Sequence, residues 1–334
     1  MMIYKKFVLG TSFAFLLALP VTCFGQISSD SLKALPGNGL SQHPFLYAGE
    51  WQNQQMTDQN MYIVKNGKII WTFVMGTYGE YGDATLLSNG NILFSRLSGA
   101  TEITLSKKVV WNYEAPPGTQ IHTAQAIGPD KVLICQNGLP AKAIIINKKT
   151  GKIEMEHVLP TISITDANTI HGQFRHIRYT QDSTYLIANM GLGKVVEYSQ
   201  DWKEIWSYNA PSVWAAIRLK NGNTLVSGNQ KGYVREVNKK GETVWEINKN
   251  DLPGITLYCV QQVNRLANGN TVICNWFNGV KKEDWPRVVQ IIEVTPDKKV
   301  VWALRQWASP NLGPASSIQL LDEPGIPENG ELQR

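Results

Sequence analysis

The chain has 334 residues, 43% hydrophobic and 18% charged, a composition typical of a globular protein with an apolar core. The net charge of +5 is mild for this length, and the lysines are scattered, most of them at predicted turns. The sequence therefore predicts no nucleic-acid-binding face, which would need basic residues gathered on one surface.

The N-terminus has the pattern of a secretory signal peptide. Lys5 and Lys6 precede an apolar run over Phe7–Val21, and small residues follow up to Gly25. The run is shorter than the ~20 residues of a transmembrane helix. We predict a signal peptide over residues 1–25, cleaved after Gly25, export to the periplasm or outside the cell, and no transmembrane segment in the mature chain.

Two local patterns alternate along the rest of the chain. The first is a strand-like segment that begins with lysine or glycine and ends in tryptophan, with one degenerate copy that ends in methionine. The second is a polar turn followed by an apolar strand, as in NGNILFS at Asn89. The first pattern ends at Trp71, Trp111, Met155, Trp206, Trp245 and Trp302, which are 39 to 57 residues apart. A repeat of about 40 residues with four short strands is typical of a β-propeller blade.

One repeat shows the four strands most clearly. The predicted strands of this repeat are Val213–Leu219, Thr224–Ser227, Tyr233–Val237 and Glu242–Ile247. The first turn contains Asn221-Gly222, a dipeptide that favours a type I′ turn with positive φ at both residues. No segment shows helical periodicity over a useful length, so the predicted fold class is all-β.

The two ends of the chain together supply one further blade. Three strands are predicted before the first complete repeat, at Phe45–Glu50, Met61–Val64 and Lys68–Phe73, and one after the last, at Ser316–Leu321. The lone strand completes the N-terminal blade and closes the ring, which leaves no open edge. We predict a six-bladed β-propeller over residues 45–324, with a lead-in over residues 26–44 and a loose tail over residues 325–334.

The cysteines do not predict a disulfide framework. Cys135, Cys259 and Cys274 follow the signal peptide, and each lies in an apolar strand-like segment, so we expect small buried side chains. Cys259 and Cys274 lie on two predicted neighbouring strands. A two-residue turn between these strands would place Cys274 opposite Val263, away from Cys259. Cys23 leaves lipidation as a less favoured alternative, since the residues before it are a poor match to the sequence that usually precedes a lipidated cysteine. The recurrent tryptophans are predicted to pack between blades.

The alternation of NGN-type turns with segments such as KKVVW is similar to the repeats of quinoprotein-type and arylsulfotransferase-type propellers. The quinoprotein resemblance implies pyrroloquinoline quinone and calcium, with adjacent cysteines and eight blades. This chain has no adjacent cysteines and six predicted blades, so no cofactor is predicted. The arylsulfotransferase resemblance implies a catalytic histidine helped by further histidine and arginine residues. The chain also resembles exported propellers of carbohydrate-degrading Bacteroidetes-like bacteria.

Propeller ligands normally bind where the innermost strands begin, beside the loops between the second and third strands. Alignment of the repeats on their turns brings a polar and aromatic set to this end. The predicted binding residues are Glu50, Trp51, Asp83, Arg96, Asn137, His176, Asn189, Trp214, Asn229, Gln261, Asn275 and Trp276. Tryptophan covers sugar faces, amides bind hydroxyls and arginine grips a carboxylate or sulfate. For each amide taken singly, capping of a turn is the alternative.

Three residues are predicted to be catalytic, namely His122, His171 and Arg175. A histidine titrates near neutrality and suits a general base, and an arginine neutralises a carboxylate. The long connection Thr161–Ile170 leads into His171 and is expected to border the same face, as is the connection over residues 278–287. No spacing of the HxH or HExxH kind predicts a metal site.

Three functions stay open from the sequence. The first is a carbohydrate-active lyase or hydrolase acting on an oligosaccharide, and the second is a non-catalytic propeller that binds a glycan or a protein. The third is an aryl sulfotransferase-like enzyme that uses one of the histidines. In each case the predicted partner is a small or oligosaccharide ligand, and the protein is predicted to be a monomer.

Overall fold

A computed structural model of the protein describes residues 34–51, 59–75, 79–277 and 279–334. The chain divides into a unit Met1–Ala34 and a unit Leu35–Arg334, and the first lies almost wholly outside the described residues. The predicted signal peptide, its cleavage site and Cys23 therefore lie outside the described residues. The account below concerns the second unit.

Twenty-four strands form six four-stranded antiparallel sheets. The closing blade contains β1 (Phe45–Gly49), β2 (Gln59–Lys65), β3 (Lys68–Met75) and, from the other end of the chain, β24 (Ala315–Leu320). Blade 1 contains β4 (Ala84–Leu86), β5 (Ile92–Arg96), β6 (Gly99–Ile103) and β7 (Val109–Glu114). Blade 2 contains β8 (Gln120–Ile127), β9 (Lys131–Asn137), β10 (Lys142–Asn147) and β11 (Ile153–Val158). Blade 3 contains β12 (Phe174–Tyr179), β13 (Tyr185–Asn189), β14 (Lys194–Tyr198) and β15 (Glu204–Asn209). Blade 4 contains β16 (Val213–Arg218), β17 (Thr224–Gly228), β18 (Tyr233–Val237) and β19 (Thr243–Ile247). Blade 5 contains β20 (Cys259–Arg265), β21 (Thr271–Trp276), β22 (Ile291–Val294) and β23 (Val300–Leu304).

The sheets form a six-bladed β-propeller, as the sequence predicted. The ring closes where β24 pairs with β1, with Tyr47 opposite Ile318 and Phe45 opposite Leu320. The innermost strands of neighbouring blades contact one another around a central channel. We call the end where these strands begin the entry end, and the end where they finish the exit end.

Few helical residues interrupt this pattern in the described part of the chain. The 3₁₀ helices there are Gly39–Ser41, Ala167–Gly172, Lys282–Arg287 and Pro327–Asn329. The second begins after Asp166, whose side chain accepts a hydrogen bond from the backbone of Asn168, and it carries His171 into the entry end. No helix among the described residues is long and apolar enough to cross a membrane.

The Asn-Gly turns differ from the predicted type. In the turn of blade 4, φ is positive at Gly222 alone, and Leu219 bonds to both Gly222 and Asn223. This is a three-residue loop with a glycine in the left-handed region, which lengthens the hairpin by one residue. The equivalent loop of blade 5 shifts the register by one, so that Val263 lies opposite Ile273 and not opposite Cys274. The three described cysteines are free and buried, as expected.

The recurrent tryptophans form hydrogen bonds to backbone outside their own blade. Their indole N–H groups donate to backbone carbonyls in four cases: Trp71 to Leu105, Trp206 to Lys239, Trp245 to Pro296 and Trp302 to Gly39. The predicted packing role of these four is therefore confirmed. A glutamate of the third strand adds an ion pair to the following blade, as in Glu236 with Arg265 at 2.8 Å and Glu102 with Lys148 at 2.5 Å.

The C-terminal segment is docked on the exit end, in contrast to the predicted loose tail. Gln333 pairs with Arg265, and the side chain of Arg334 is buried in the channel. Its Nη2 lies 2.7 Å from the carbonyl of Ala84 and 3.7 Å from a carboxylate oxygen of Asp83. Because Asp83 and Arg334 are 251 positions apart, the local composition of the segment carries no sign of this contact.

Candidate functional site

The candidate site is built on irregular backbone at the entry end. In four inner strands the pairing register shifts close to the first residues, a sign of β-bulges. The residues within these shifts include His122 in β8, Arg175 in β12, Trp214 in β16 and Gln261 in β20. Bulges re-aim side chains and are frequent beside functional sites. The four bulges fall at the positions that alignment of the repeats on their turns had placed together.

Arg175 lies at the centre of the residues that the structure brings together. Its Nη1 donates to Nδ1 of His122 at 2.8 Å, and its guanidinium carbon lies 4.7 Å from the centre of the Trp214 ring. The Arg175 and His122 side chains are 4% and 2% exposed. Three consecutive blades therefore contribute one cation, one imidazole and one aromatic face to a single buried contact.

Blade 1 approaches this contact closely. A Cβ added at Gly82 would lie 1.8 Å from the carbonyl oxygen of His122, so only glycine fits at that position. Gly82 follows Glu80, whose Oε2 lies 3.9 Å from Nη1 of Arg175 and 4.0 Å from Nδ1 of His122. The close backbone contact thus brings a carboxylate beside the arginine and the histidine.

Hydrogen bonds fix the tautomers of the two histidines. Because a guanidinium only donates, Nδ1 of His122 accepts, and Nε2 carries the hydrogen that faces Oε1 of Gln120 at 3.3 Å. The same oxygen lies 2.9 Å from Nδ1 of His171, which must donate to it. Nε2 of His171 is thus a lone-pair nitrogen, and it makes no hydrogen bond within the described part of the chain. The two rings meet edge to face at 5.2 Å.

The electrostatic environment keeps both imidazoles neutral at neutral pH. Burial, followed by Arg175 and His171, holds the pKa of His122 well below its usual range. Burial and Arg175 lower the pKa of His171 to about 4. Burial raises the pKa of Glu80 more than Arg175 lowers it. Glu80 and Glu50 in turn partly offset the lowering that burial imposes on the pKa of Arg175.

Several buried polar atoms at the entry end lack a hydrogen-bond partner. They include Nε of Arg175, Oε1 of Gln261 and Oδ1 of Asn229. Only Nη1 of Arg175 is hydrogen-bonded among the described residues. A buried polar atom left unpaired costs about 1–3 kcal/mol, so native structures rarely gather several of them without a bound molecule or water. This arrangement suits a polar ligand.

The predicted residues Trp51 and Trp276 belong to an aromatic cluster. Trp51 packs against Phe277, Trp285 and Trp307 with ring centres 5.6 to 6.3 Å apart, and it is 4% exposed. The indole of Trp276 donates to the backbone carbonyl of Glu50 at 2.9 Å. Their ring faces are covered by protein. The cluster instead holds the backbone of Glu50, whose carboxylate accepts a hydrogen bond from Gln261 at 3.4 Å.

Most of the predicted amides hold loops. Asn137 donates to Phe174, Asn189 donates to Pro160, and Asn275 donates to Thr256 and Val289, in each case at a backbone carbonyl. The side-chain amide of Asn229 donates only to the sulfur of Met190, at 3.9 Å, among the described residues. The capping alternative therefore describes three of the four amides, although Oδ1 of Asn137 lacks a hydrogen-bond partner, as Oδ1 of Asn229 does.

Three further predicted residues lie apart from the Arg175–His122 contact. Asp83 lies deeper in the channel, where it pairs with Arg178 at 2.7 Å, and His176 lies there with both ring nitrogens unpaired. Burial, Arg178 and Arg334 keep the pKa of His176 well below its usual range. Arg96 pairs with Glu114 at 2.5 Å inside its own blade. Among the described residues, none of these three side chains hydrogen-bonds or forms an ion pair with Arg175 or His122.

Sequence reasoning missed Glu80 and Gln120. Each lies two residues before an aligned position, Glu80 in the segment that leads into β4 and Gln120 at the first residue of β8. Polar residues at these positions were the available signal. No group of three or more histidine, cysteine, aspartate or glutamate side chains is placed to hold a metal within the described ranges.

The structure is a six-bladed propeller with a cluster of histidine and arginine side chains at its entry end. No protein-family model and no curated protein sequence matches the chain. Among solved structures, it is similar to a protein of unknown function from Bacteroides caccae, with 25% identity, a TM-score of 0.71, and coverage of 83% of this chain and 97% of that one.

The chain is also similar in fold to propeller lyases. A streptogramin B lyase has a TM-score of 0.52 at 12% identity, with coverage of 80% of this chain and 85% of that one. A catalytically inactive histidine-to-alanine variant of virginiamycin B lyase from Staphylococcus aureus, with quinupristin, has a TM-score of 0.52 at 13% identity, with coverage of 77% and 87%. At such identity the likeness shows the propeller fold alone.

Proposed function

We propose that the entry-end cluster binds an anionic, carbohydrate-like ligand and cleaves it by elimination, as an oligosaccharide lyase. One observation carries the proposal. A buried Arg175 with unused donors is stacked on Trp214 and bonded to a neutral His122, while a second neutral imidazole, His171, presents a free Nε2 beside it.

Recognition rests on the free donors of Arg175. A carboxylate of a uronic acid accepts two parallel hydrogen bonds from one guanidinium, which fixes its orientation. Oε1 of Gln261 and Oδ1 of Asn229 accept hydroxyl groups, because both are buried and unpaired. The site therefore favours a sugar acid over a neutral sugar.

The chemistry needs one base and one acid. Binding of the substrate carboxylate to Arg175 acidifies the carbon-bound proton next to it. Nε2 of His171 takes that proton, the electron pair forms a carbon–carbon double bond, and the bond to the leaving oxygen breaks. We assign Glu80, whose pKa burial raises above its ordinary value, as the group that supplies the proton to that oxygen. The proton on His171 then returns to Glu80 through solvent.

The substrate itself strengthens the base. Burial lowers the pKa of His171 most, and the positive charge of Arg175 lowers it further. A carboxylate bound to the guanidinium offsets that charge, so the pKa of His171 rises towards its ordinary value when substrate is present. The histidine is then neutral in the free protein and more basic in the complex.

The comparisons support this proposal only through the fold, because a propeller carries lyase activity in a protein whose histidine-to-alanine variant is inactive. Export follows from the predicted signal peptide, and it would place the site where extracellular polysaccharide is degraded. A quinoprotein-like or arylsulfotransferase-like relationship stays a prediction from the repeat pattern.

The test is a screen of purified protein against uronate-containing and neutral oligosaccharides, with detection of unsaturated products by absorbance and of new reducing ends. We expect unsaturated products from uronates only, and none from the His171→Gln variant. New reducing ends without unsaturated products would indicate hydrolysis. Binding without any product would indicate a non-catalytic glycan-binding propeller. Either result contradicts the lyase.

A second candidate is sulfuryl transfer. The free Nε2 of His171 next to an arginine is also the arrangement of a nucleophile beside an oxyanion-binding group. Release of phenol from an aryl sulfate in the presence of a phenolic acceptor, lost in His171→Gln, would favour this function over elimination.

A further inference from the structure

Four blades carry a buried glutamate at the same place, opposite the recurrent tryptophan of the outermost strand. These register pairs are Glu102 with Trp111, Glu197 with Trp206, Glu236 with Trp245 and Glu293 with Trp302. In three of the blades the glutamate pairs with a lysine or an arginine of the following blade, namely Lys148, Arg218 and Arg265. Because lysine and arginine stay charged well above neutral pH, these cations are permanent under ordinary conditions.

The fourth glutamate, Glu293 of blade 5, has a histidine in place of the lysine or arginine. The partner is His43, which lies two residues before β1 of the closing blade. Its Nε2 lies 3.0 Å from Oε2 of Glu293, and its Nδ1 lies 2.8 Å from Oδ2 of Asp322, just after β24. The ring also meets Trp302 of β23 edge to face, with ring centres 5.2 Å apart. His43 therefore connects blade 5 with segments from both ends of the chain.

The ring of blades closes beside this histidine. The backbone N–H of Leu321 donates to the carbonyl of Pro44 at 2.8 Å, one residue from each partner in the pair of His43 and Asp322. We call the contact between blade 5, residues 36–44 and residues 315–322 the seam. One titratable side chain thus lies where the first and last strands of the propeller are held together.

The two carboxylates favour the charged form of His43. A neutral imidazole has one N–H and can donate to only one of them, whereas an imidazolium donates from both nitrogens. The charged groups that face the ring are Glu293 on β22 and Asp322 after β24, and residues 39–44 carry no other charged side chain. Neither carboxylate forms an ion pair with a lysine or an arginine inside the described ranges.

The balance of burial and charge gives the direction of the pH dependence. Burial lowers the pKa of His43, but the hydrogen bonds and negative charges of Glu293 and Asp322 together outweigh it, so the pKa is raised above its ordinary value of 6.5. A group whose pKa is raised by folding stabilises the folded state fully below its unfolded value. That contribution is lost as the pH rises through the pKa of the folded state.

We propose that His43 is a protonation-dependent clasp on the seam, closed while the imidazolium binds both carboxylates and weakened when it loses its proton. The clasp differs from the ion pairs of the other blades because its cation titrates near neutrality. The propeller therefore opens more readily at the seam in mildly alkaline solution. This inference concerns the closure of the ring and does not depend on the proposed function.

Hydrogen exchange at the seam, corrected for the intrinsic effect of pH, tests the clasp. The probe is the peptide that contains Leu321, because its N–H is bonded across the seam. In the wild type we expect its protection to fall at least about threefold between about pH 6.5 and pH 9, as the charged pair is lost. Strand β13 of blade 3, on the other side of the ring, is the internal reference and should not follow this change.

Three variants separate the charge of His43 from its size. His43→Arg supplies a permanent cation, as in the other blades, and should keep the seam protected over the whole pH range. His43→Gln is neutral and should lower the protection at pH 6.5 and remove most of its pH dependence. The matched control His157→Gln removes a histidine on β11 of blade 2 and should respond to pH as the wild type does.

Titration of the histidine rings by NMR is the second measurement. The signal of His43, assigned by its absence in His43→Gln, should titrate above the ordinary histidine value in the wild type and closer to that value in Asp322→Asn. Titration of His43 at or below the ordinary value would overturn the inference. So would seam protection that is independent of pH in the wild type, or an equal pH response in His43→Arg.

Discussion

Nη1 of Arg175 donates to Nδ1 of His122 at 2.8 Å, across the boundary between blades 2 and 3. This bond makes Nε2 of His122 the donor to Oε1 of Gln120, and the same oxygen, which as an amide oxygen can only accept, accepts from Nδ1 of His171. The free nitrogen of His171 is therefore determined by a residue on another blade. The first prediction follows from this chain of bonds.

Gln120 should act as a positioning residue. The variant Gln120→Ala removes the oxygen that orients Nδ1 of His171, so part of the population presents the wrong tautomer. We expect kcat on the uronate substrate to fall about tenfold with little change in KM, as for loss of other orienting partners of this kind. The conservative variant Gln120→Glu should retain more activity than Gln120→Ala. An equal loss in both variants, or a change in KM alone, would contradict the orienting role.

The buried histidines should make the protein less stable at mildly acid pH. The pKa of His122 is well below its ordinary value of 6.5 in the folded state, so below about pH 6.5 the unfolded chain binds a proton that the folded chain does not. The free energy of unfolding should therefore fall as the pH drops below that value. Urea denaturation of His122→Gln should show a shallower decline between pH 6.5 and 5 than the wild type. Parallel declines would be inconsistent with a neutral buried imidazole.

Asp83 should matter for stability and not for the entry-end ligand. It is 2% exposed and pairs with Arg178 at 2.7 Å and with Arg334 at 3.7 Å. Asp83→Asn leaves two buried guanidinium groups without their carboxylate, and we expect a loss of about 3–5 kcal/mol in urea denaturation. Affinity for the entry-end ligand should stay within about twofold of the wild type under conditions where the variant is folded. A large loss of affinity would show that Asp83 contributes to the binding site.

The ion pairs between blades should contribute more than surface pairs do. Glu236 is 7% exposed, pairs with Arg265, and accepts from Asn221 and Asn223 of the turn. Glu236→Ala should cost about 3 kcal/mol. The control is Asp201→Ala, which removes an exposed pair with Lys203 and should lower the free energy of unfolding far less than Glu236→Ala does, because solvent screens that pair. Similar values for the two variants would show that the glutamate does not hold the blades together.

Much of the fold can be predicted from the sequence because the same pattern of strands and turns recurs several times along the chain. All four predicted strands of blade 4 lie within a residue of the observed ones, and the closing strand Ser316–Leu321 matches β24 equally well. The turn type was wrong because Asn-Gly serves both a two-residue and a three-residue loop, and the choice depends on pairing beyond the dipeptide. The site was predicted less completely. Alignment found His122, Arg175 and Trp214, but the aromatic cover over Trp51 comes from residues more than 200 positions away, and the partners of Asp83, Arg178 and Arg334, are 95 and 251 positions away.

The account centres on Arg175 as the anchor for a substrate carboxylate, and calorimetry tests this directly. A uronate disaccharide and its methyl ester would be titrated into the wild type and into Arg175→Met, with Arg96→Met as a control that removes an arginine paired inside blade 1. The account predicts that the wild type and the control bind the acid and discriminate against the ester. It also predicts that Arg175→Met loses at least about 30-fold in affinity for the acid. Equal affinity of Arg175→Met and the wild type for the acid would contradict it.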